Sequence, residues 1–158
     1  MTPGSRDIGL LNSVQESIGR DKPMPLKMKK TVQQMVDEAS SQIETVPTGE
    51  AIKLVGQPGV TFIDIRDPRE LWRDGSIPGA INVTRGMLEM WIDPESPYAK
   101  DYFQSGNKFI FFCAGAWRSA LATKTAQDMG LMPVAHLEGG LSAWKKAGGP
   151  VAKVEPKK

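Results

Sequence analysis

Three short apolar runs, VTFIDI (60–65), KFIFFC (108–113) and PVAHL (133–137), recur along this chain with helix-patterned stretches between them. Their β-branched and aromatic content predicts strands. Their near-continuous hydrophobicity predicts burial on both faces, which parallel sheets covered by helices provide. Around them, TVQQMVDEASSQI (31–43) places Val32, Met35, Val36, Ala39 and Ile43 on one helical face. IETV (43–46) reads as a short strand stopped by Pro47, and Thr48 as the N-cap of a short helix ending near Leu54. PRELWRDG (68–75) fits a helix with Pro68 in its first turn and Gly75 past its end. Ala80–Val83 offer another strand. A helix over 119–129 stops at Gly130, and a last one, Leu141–Ala147, ends at Gly148-Gly149-Pro150. The alternation is that of an α/β fold.

The long connection from Thr84 to Asn107 is expected to hold further helical structure. Met87, Leu88, Met90 and Trp91 form an apolar face there, read as a crossover helix on the sheet in preference to a cover over a pocket.

With 158 residues, 40% hydrophobic and 24% charged, the chain is sized for one soluble domain with tails. No apolar run reaches membrane-spanning length, and the first twenty residues lack a secretory pattern. One cysteine excludes an internal disulfide, so a cytoplasmic location is expected. One cysteine and one histidine leave no expectation of a metal site, and no organic cofactor is expected. The net charge of +2 is uneven: residues 1–30 carry six basic against three acidic side chains, and residues 145–158 five lysines against Glu155. These ends lack interleaved aromatics and read as solvated segments, with no nucleic-acid or membrane partner. The division expected is a loosely attached segment 1–30, a domain 31–150 and a basic tail 151–158.

The single cysteine, Cys113, ends the most apolar run and begins the loop Cys113-Ala114-Gly115-Ala116-Trp117-Arg118, with a helix behind it. A thiol at a strand's carboxyl end, where a parallel sheet places its ligands, is well sited for chemistry. Backbone N–H groups of such a loop, together with the helix N-terminus, favour the thiolate, the reactive form. The residue types point to a nucleophilic cysteine held in an anion-binding loop.

In order, FIDIRDPRELWRDGSIPGAINV, FIFFCAGAWRSALA and HLEGGLSAWKKAGGP resemble the characteristic stretches of the rhodanese (sulfurtransferase) family, over about residues 48–150. The resemblance implies a three-layer α/β sandwich with a five-stranded, mainly parallel sheet covered by helices on both faces. It also implies that Cys113 carries sulfur as a persulfide. Ser76 departs from the family, which often shows His before Ile-Pro-Gly-Ala; altered local packing is expected there.

The chemistry implied is two-step covalent transfer. Cys113 takes a sulfane sulfur from a small anionic donor such as thiosulfate, and a thiol, a protein thiol or a cyanide-like acceptor removes it. The backbone of Ala114, Gly115, Ala116, Trp117 and Arg118 would cradle the anion, with the Arg118 guanidinium presenting a fork of donors. Lacking a second cysteine, the chain must pass its sulfur to another molecule. Two rivals stand beside this reading. One is a persulfide carrier or partner-binding module without turnover. The other is a cysteine phosphatase, whose family spaces Arg six positions after Cys; here Arg118 is fifth and Ser119 sixth.

Among other residues, Trp117 is expected to turn inward and pin the loop. Asp64, Arg66 and Glu70 read as an ion-pair network supporting a strand–helix junction. Arg85 is a further donor contact, by its place after a strand end. His136, the sole histidine, reads as a packed strand residue before a base, Glu138-Gly139-Gly140 as a turn, and Trp144 as core.

Overall fold

A computed structural model describes Met24 and residues 26–157. The expectation of a loosely attached segment at 1–30 falls mostly outside the described residues. The chain divides into units 1–31 and 32–158, and the second carries every strand found among the described residues. Among the described residues no helix is long and apolar enough to cross a membrane.

The elements run α1 (Val32–Gln42), β1 (Glu44–Val46), α2 (Thr48–Ile52), β2 (Val60–Asp64), α3 (Pro68–Asp74), β3 (Ile81–Asn82), α4 (Leu88–Ile92), β4 (Lys108–Phe112), α5 (Trp117–Met129), β5 (Val134–Leu137) and α6 (Gly140–Lys146). Short 3₁₀ turns, Arg85–Met87 and Asp101–Gln104, flank α4 in the long connection. The sheet order is β1-β5-β4-β2-β3, and every pairing is parallel. The chain is an α/β protein with the strand that precedes Cys113 at the centre of its sheet.

Side-chain alternation along β4 divides the core. Phe109, Phe111 and Cys113 join Leu88 and Ile92 of α4 and Ala122 and Ala126 of α5 in one apolar cluster. Ile110 and Phe112 join Ala51 of α2 and Leu141 and Trp144 of α6 in the other. Each large side chain so buried stabilises the fold by roughly 2 kcal/mol. Central placement therefore fixes β4, and with it the position of the thiol.

The chain start of the domain differs from its helical reading. Only Val36 and Ala39 of α1 are buried, against Ala120 of α5, while Val32 and Met35 face solvent. A helix lying on another helix covers a narrower stripe than one lying on a sheet. Thr48 does not cap α2. Pro47 holds the cap position, and the Thr48 hydroxyl donates instead to the carbonyl of Glu138 at 3.1 Å. α3 has a full capping box: Asp67 accepts from the Arg69 N–H, Glu70 accepts from the Asp67 N–H, and Pro68 fills the first turn.

The C-terminal segment is not wholly a free tail. Ser76 and Ala152 exchange backbone hydrogen bonds, at 3.0 and 2.8 Å, in an antiparallel bridge. Gly75, at φ 78°, lies where a Cβ would stand 2.8 Å from the Ala152 carbonyl oxygen, so only glycine lets the strands approach. Trp144 is fully buried, and its indole N–H donates to the Pro150 carbonyl at 2.7 Å.

Candidate active site

β4 ends at Phe112 and α5 begins at Trp117, so four residues turn the chain from the sheet into the helix. The helix starts two residues earlier than its pattern suggested, which places Trp117 and Arg118 in its first turn. Cys113, Gly115, Ala116, Trp117, Arg118 and Gly139 line an open cavity of about 370 Å³. Cys113 sits at its floor, 1% exposed. Ala114 belongs to a neighbouring recess with Arg66, Asp74, Leu141, Ser142 and Lys145.

α6 shapes this loop from below. The Leu141 N–H donates to the Cys113 carbonyl at 2.9 Å, and the Ser142 N–H to the Ala114 carbonyl at 3.0 Å. Gly140, at φ 60°, is pressed against the loop: a Cβ there would stand 1.9 Å from the Gly115 carbonyl oxygen. The loop carbonyls thus face α6. Among the described residues no protein acceptor meets the N–H groups of Ala114, Gly115 or Ala116, and the first N–H groups of α5 have no intrahelical partner. The arrangement is suited to stabilising negative charge at the cysteine sulfur.

Arg118 has a fixed companion. Its two terminal nitrogens donate to the two carboxylate oxygens of Glu70, at 2.9 and 3.0 Å. These hydrogen bonds hold the Glu70 carboxyl below the usual carboxylate range and raise Arg118 further. The pair is partly solvated, with the Arg118 side chain 44% exposed. The guanidinium therefore stands over the loop as one half of an ion pair, its fork occupied on one side.

Asp64, Arg66 and Glu70 do not form one cluster. Asp64 and Arg66 are buried together. The Arg66 guanidinium donates to both Asp64 oxygens, at 3.0 and 2.8 Å, and to the Gly75 carbonyl at 2.7 Å. Ser76, the position where the family often shows His, donates its hydroxyl to Asp64 at 2.7 Å. Glu70 belongs to Arg118.

Trp117 corrects its inward reading. The residue is 48% exposed and lines the cavity, because the first turn of α5 points out over the mouth. Arg85 also stands elsewhere. A 3₁₀ turn begins at Arg85 and runs into α4, so its side chain meets Glu89 at 2.9 Å and Thr125 at 3.4 Å, away from the residues lining the mouth. α4 packs into the core through Leu88 and Ile92, and Trp91 lines a separate cavity of about 650 Å³ with Trp72 and Val154. It does not cover Cys113.

Behind the thiol lie two polar residues that local pattern does not connect. The Cys113 sulfur is 3.6 Å from the Ser119 hydroxyl, which is 3.2 Å from Nδ1 of His136. Nε2 of His136 is 3.0 Å from the Thr45 hydroxyl. Burial lowers the His136 pKa, against a smaller opposite pull from Glu138, so the ring is neutral near pH 7. The spacing of Cys113 and Ser119 was visible in the chain, but the register of β4 on β5, which sets Phe111 beside His136, was not.

Comparison with known proteins agrees with this geometry. Residues 48–147 match the family model of the rhodanese-like domain. A mouse protein, thiosulfate sulfurtransferase/rhodanese-like domain-containing protein 3, is 28% identical over 60% of this chain, which spans 64% of that protein's length. A Rhodopseudomonas palustris protein of unknown function, named a possible tyrosine phosphatase, is 59% identical and superimposes with a TM-score of 0.79 over 82% of this chain and 100% of its own. The polysulfide-sulfur transferase homodimer of Wolinella succinogenes is 30% identical, with a TM-score of 0.58 over 76% of this chain and 85% of its own. Strand order, cysteine loop and sequence match converge, and the chain belongs to the rhodanese-like domain family.

Proposed function

We propose that the chain is a sulfurtransferase which moves a sulfane sulfur through a persulfide on Cys113. The observation that carries this reading is the thiol in a loop whose Cys113 and Ala114 carbonyls are tied to α6 and whose following N–H groups meet no protein acceptor among the described residues. With thiosulfate as donor, the Cys113 thiolate attacks the outer sulfur. The S–S bond of the donor breaks, sulfite leaves with the bonding electron pair, and the enzyme holds Cys–S–S⁻. A thiolate or cyanide then attacks the terminal sulfur, the new bond forms, and the Cys113 thiolate departs. Free N–H groups stabilise the anionic sulfur in both steps. Arg118 steers an anionic donor, its charge partly offset by Glu70.

The loop size favours sulfur over phosphate. Arg118 is five positions after Cys113, and it is engaged by Glu70 instead of being free to clasp a phosphoryl group in both arms. The name carried by the Rhodopseudomonas palustris relative makes dephosphorylation the rival to test. Intact-mass measurement after thiosulfate treatment is expected to show one added sulfur atom on the wild type and none on Cys113→Ser. Hydrolysis of an aryl phosphate without sulfur loading would overturn the assignment. Loading without release to cyanide or thiols would establish the non-turnover carrier instead.

A further inference from the structure

We propose that Ser119, His136 and Thr45 form a proton relay that carries the Cys113 thiol proton away from the cavity to solvent at the edge strand β1. The inference rests on the sulfur-transfer reading for its purpose, but its geometry stands independently. Four polar groups line up from the sulfur outward: Cys113 to Ser119 at 3.6 Å, Ser119 to Nδ1 of His136 at 3.2 Å, and Nε2 of His136 to Thr45 at 3.0 Å. Cys113, Ser119 and His136 are buried, whereas Thr45 is exposed. Water therefore meets the chain at Thr45, through a route the substrate does not use.

The proton count closes at every link. With the thiol protonated, S–H donates to the Ser119 oxygen, the Ser119 O–H donates to Nδ1, and the Nε2 N–H donates to the Thr45 oxygen. On ionisation the S–H bond breaks and its proton passes to Ser119. The Ser119 proton passes to Nδ1, the Nε2 proton passes to Thr45, and the Thr45 hydroxyl proton leaves to water. Every hydrogen bond has then reversed: Thr45 donates to Nε2, Nδ1–H donates to Ser119, and Ser119 donates to the thiolate. No group loses its partner, and the imidazole changes tautomer without holding two protons. A ring kept neutral by burial is suited to that role, because a buried imidazolium would trap the proton.

The Ser119 oxygen also lies 3.1 Å from the Ala116 carbonyl, so its proton has a third acceptor. That contact defines the competing arrangement, a static one. In it Ser119 donates permanently to Ala116 and accepts from both Cys113 and a ring fixed as the Nδ1–H tautomer. The charged groups that face this chain are Arg118, paired with Glu70 and acting on Cys113 from the cavity side, Glu138 at the end of β5, and the Glu44–Lys108 ion pair that includes the neighbour of Thr45. None of them stands between the four links, so the switch is to be read against the thiol alone.

The chain has a single histidine and a single cysteine, which makes the test direct. The full chain, labelled with ¹⁵N in the imidazole, is titrated by NMR while Cys113 alkylation by iodoacetamide is followed over the same pH range. The expected result is a change from the Nε2–H to the Nδ1–H tautomer at the midpoint of the alkylation profile, and no such change in Cys113→Ala. A ring that keeps one tautomer across the thiol's ionisation overturns the relay. In a second arm, Ser119→Ala and His136→Asn are each expected to slow alkylation near pH 7 by about fivefold, the weight of one hydrogen bond, with the double variant no slower than either. Multiplying losses overturn it. Both arms read the thiol proton and not sulfur turnover. A tautomer switch in a protein that moves no sulfur would remove the transfer reading and leave the relay.

Discussion

At the scale of single residues, the Arg118–Glu70 pair decides how the loop meets charge. As a partly solvated ion pair it contributes at most about 1 kcal/mol to stability, so its importance lies in the field it sets over Cys113. On the proposed reading, the Glu70 carboxylate offsets part of the attraction that Arg118 exerts on an incoming anion, and its two hydrogen bonds hold the guanidinium in place. Glu70→Gln preserves shape and one acceptor while removing the negative charge. It is expected to lower KM for thiosulfate by roughly two- to fivefold at low salt, with the gain fading near 1 M salt, where screening shortens to about 3 Å. Arg118→Ala is expected to raise the same KM by about tenfold, the loss of a charge-assisted contact. Steady-state kinetics over a salt series checks both. If Glu70→Gln weakens donor use as Arg118→Ala does, the carboxylate serves only to hold the arginine. The place of Cys113 at the start of the strand–helix loop was legible in the chain because a lone thiol between an apolar run and a helix carries its own signal. The partner of Arg118 was not, since 48 residues separate it from Glu70 and nothing local in PRELWRDG distinguishes a surface glutamate from a bound one. Trp117 misled for a related reason: aromatic area argues for burial, while the first turn of α5 dictates direction.

At the scale of elements, the site is a junction of β4, α5 and α6, and α6 is the least obvious of the three. Its first residues hold the loop by two hydrogen bonds, from Leu141 and Ser142. Gly140 makes that approach possible by having no side chain. Gly140→Ala would place a methyl group within 1.9 Å of the Gly115 oxygen at a backbone φ of 60°, so loop and helix must separate. A destabilisation of about 3 kcal/mol is expected from the overpacking and the left-handed backbone together. The Cys113 N–H cradle should open with it, and sulfur loading should fall more steeply than the folded fraction. Urea unfolding beside intact-mass loading measures the two losses. Equal losses would mean that α6 supports the domain generally and does not shape the loop. The strands themselves were readable because a strand buried on both faces leaves an unbroken apolar run, as KFIFF does. The loop's support was not readable. Gly139 and Gly140 announce a turn, but which carbonyls that turn meets depends on β5 lying beside β4.

At the scale of the whole molecule, the groups behind and above Cys113 tie stability to pH. His136, on β5, lies buried beside Thr45 of β1 and Ser119 of α5, and burial depresses its pKa below the ordinary value of about 6.5. Glu70 is held below the usual carboxylate value by the Arg118 hydrogen bonds, outweighing its partial burial. The signs run the same way. In each case the unfolded chain binds a proton more readily than the fold does, so stability rises with pH across the interval between the two pKa values. For His136 the contribution is complete above about pH 6.5 and is lost as the pH falls from there toward its folded pKa. For Glu70 it is complete above about pH 4.5 and is lost below, by a smaller amount because the pair is partly solvated. The thermal midpoint of the full chain is therefore expected to be flat from pH 8 to about 6.5, to fall first on the histidine and to fall again on the carboxylate. His136→Asn should be less stable at neutral pH but should lose the first of the two declines, since asparagine does not titrate. Glu70→Gln should keep the first and blunt the second. A His136→Asn profile that still bends near pH 6 would assign that decline to a different group. A wild-type midpoint independent of pH between 7 and 5 would mean that the ring accepts its second proton without cost, and a neutral histidine behind Cys113 would have no support.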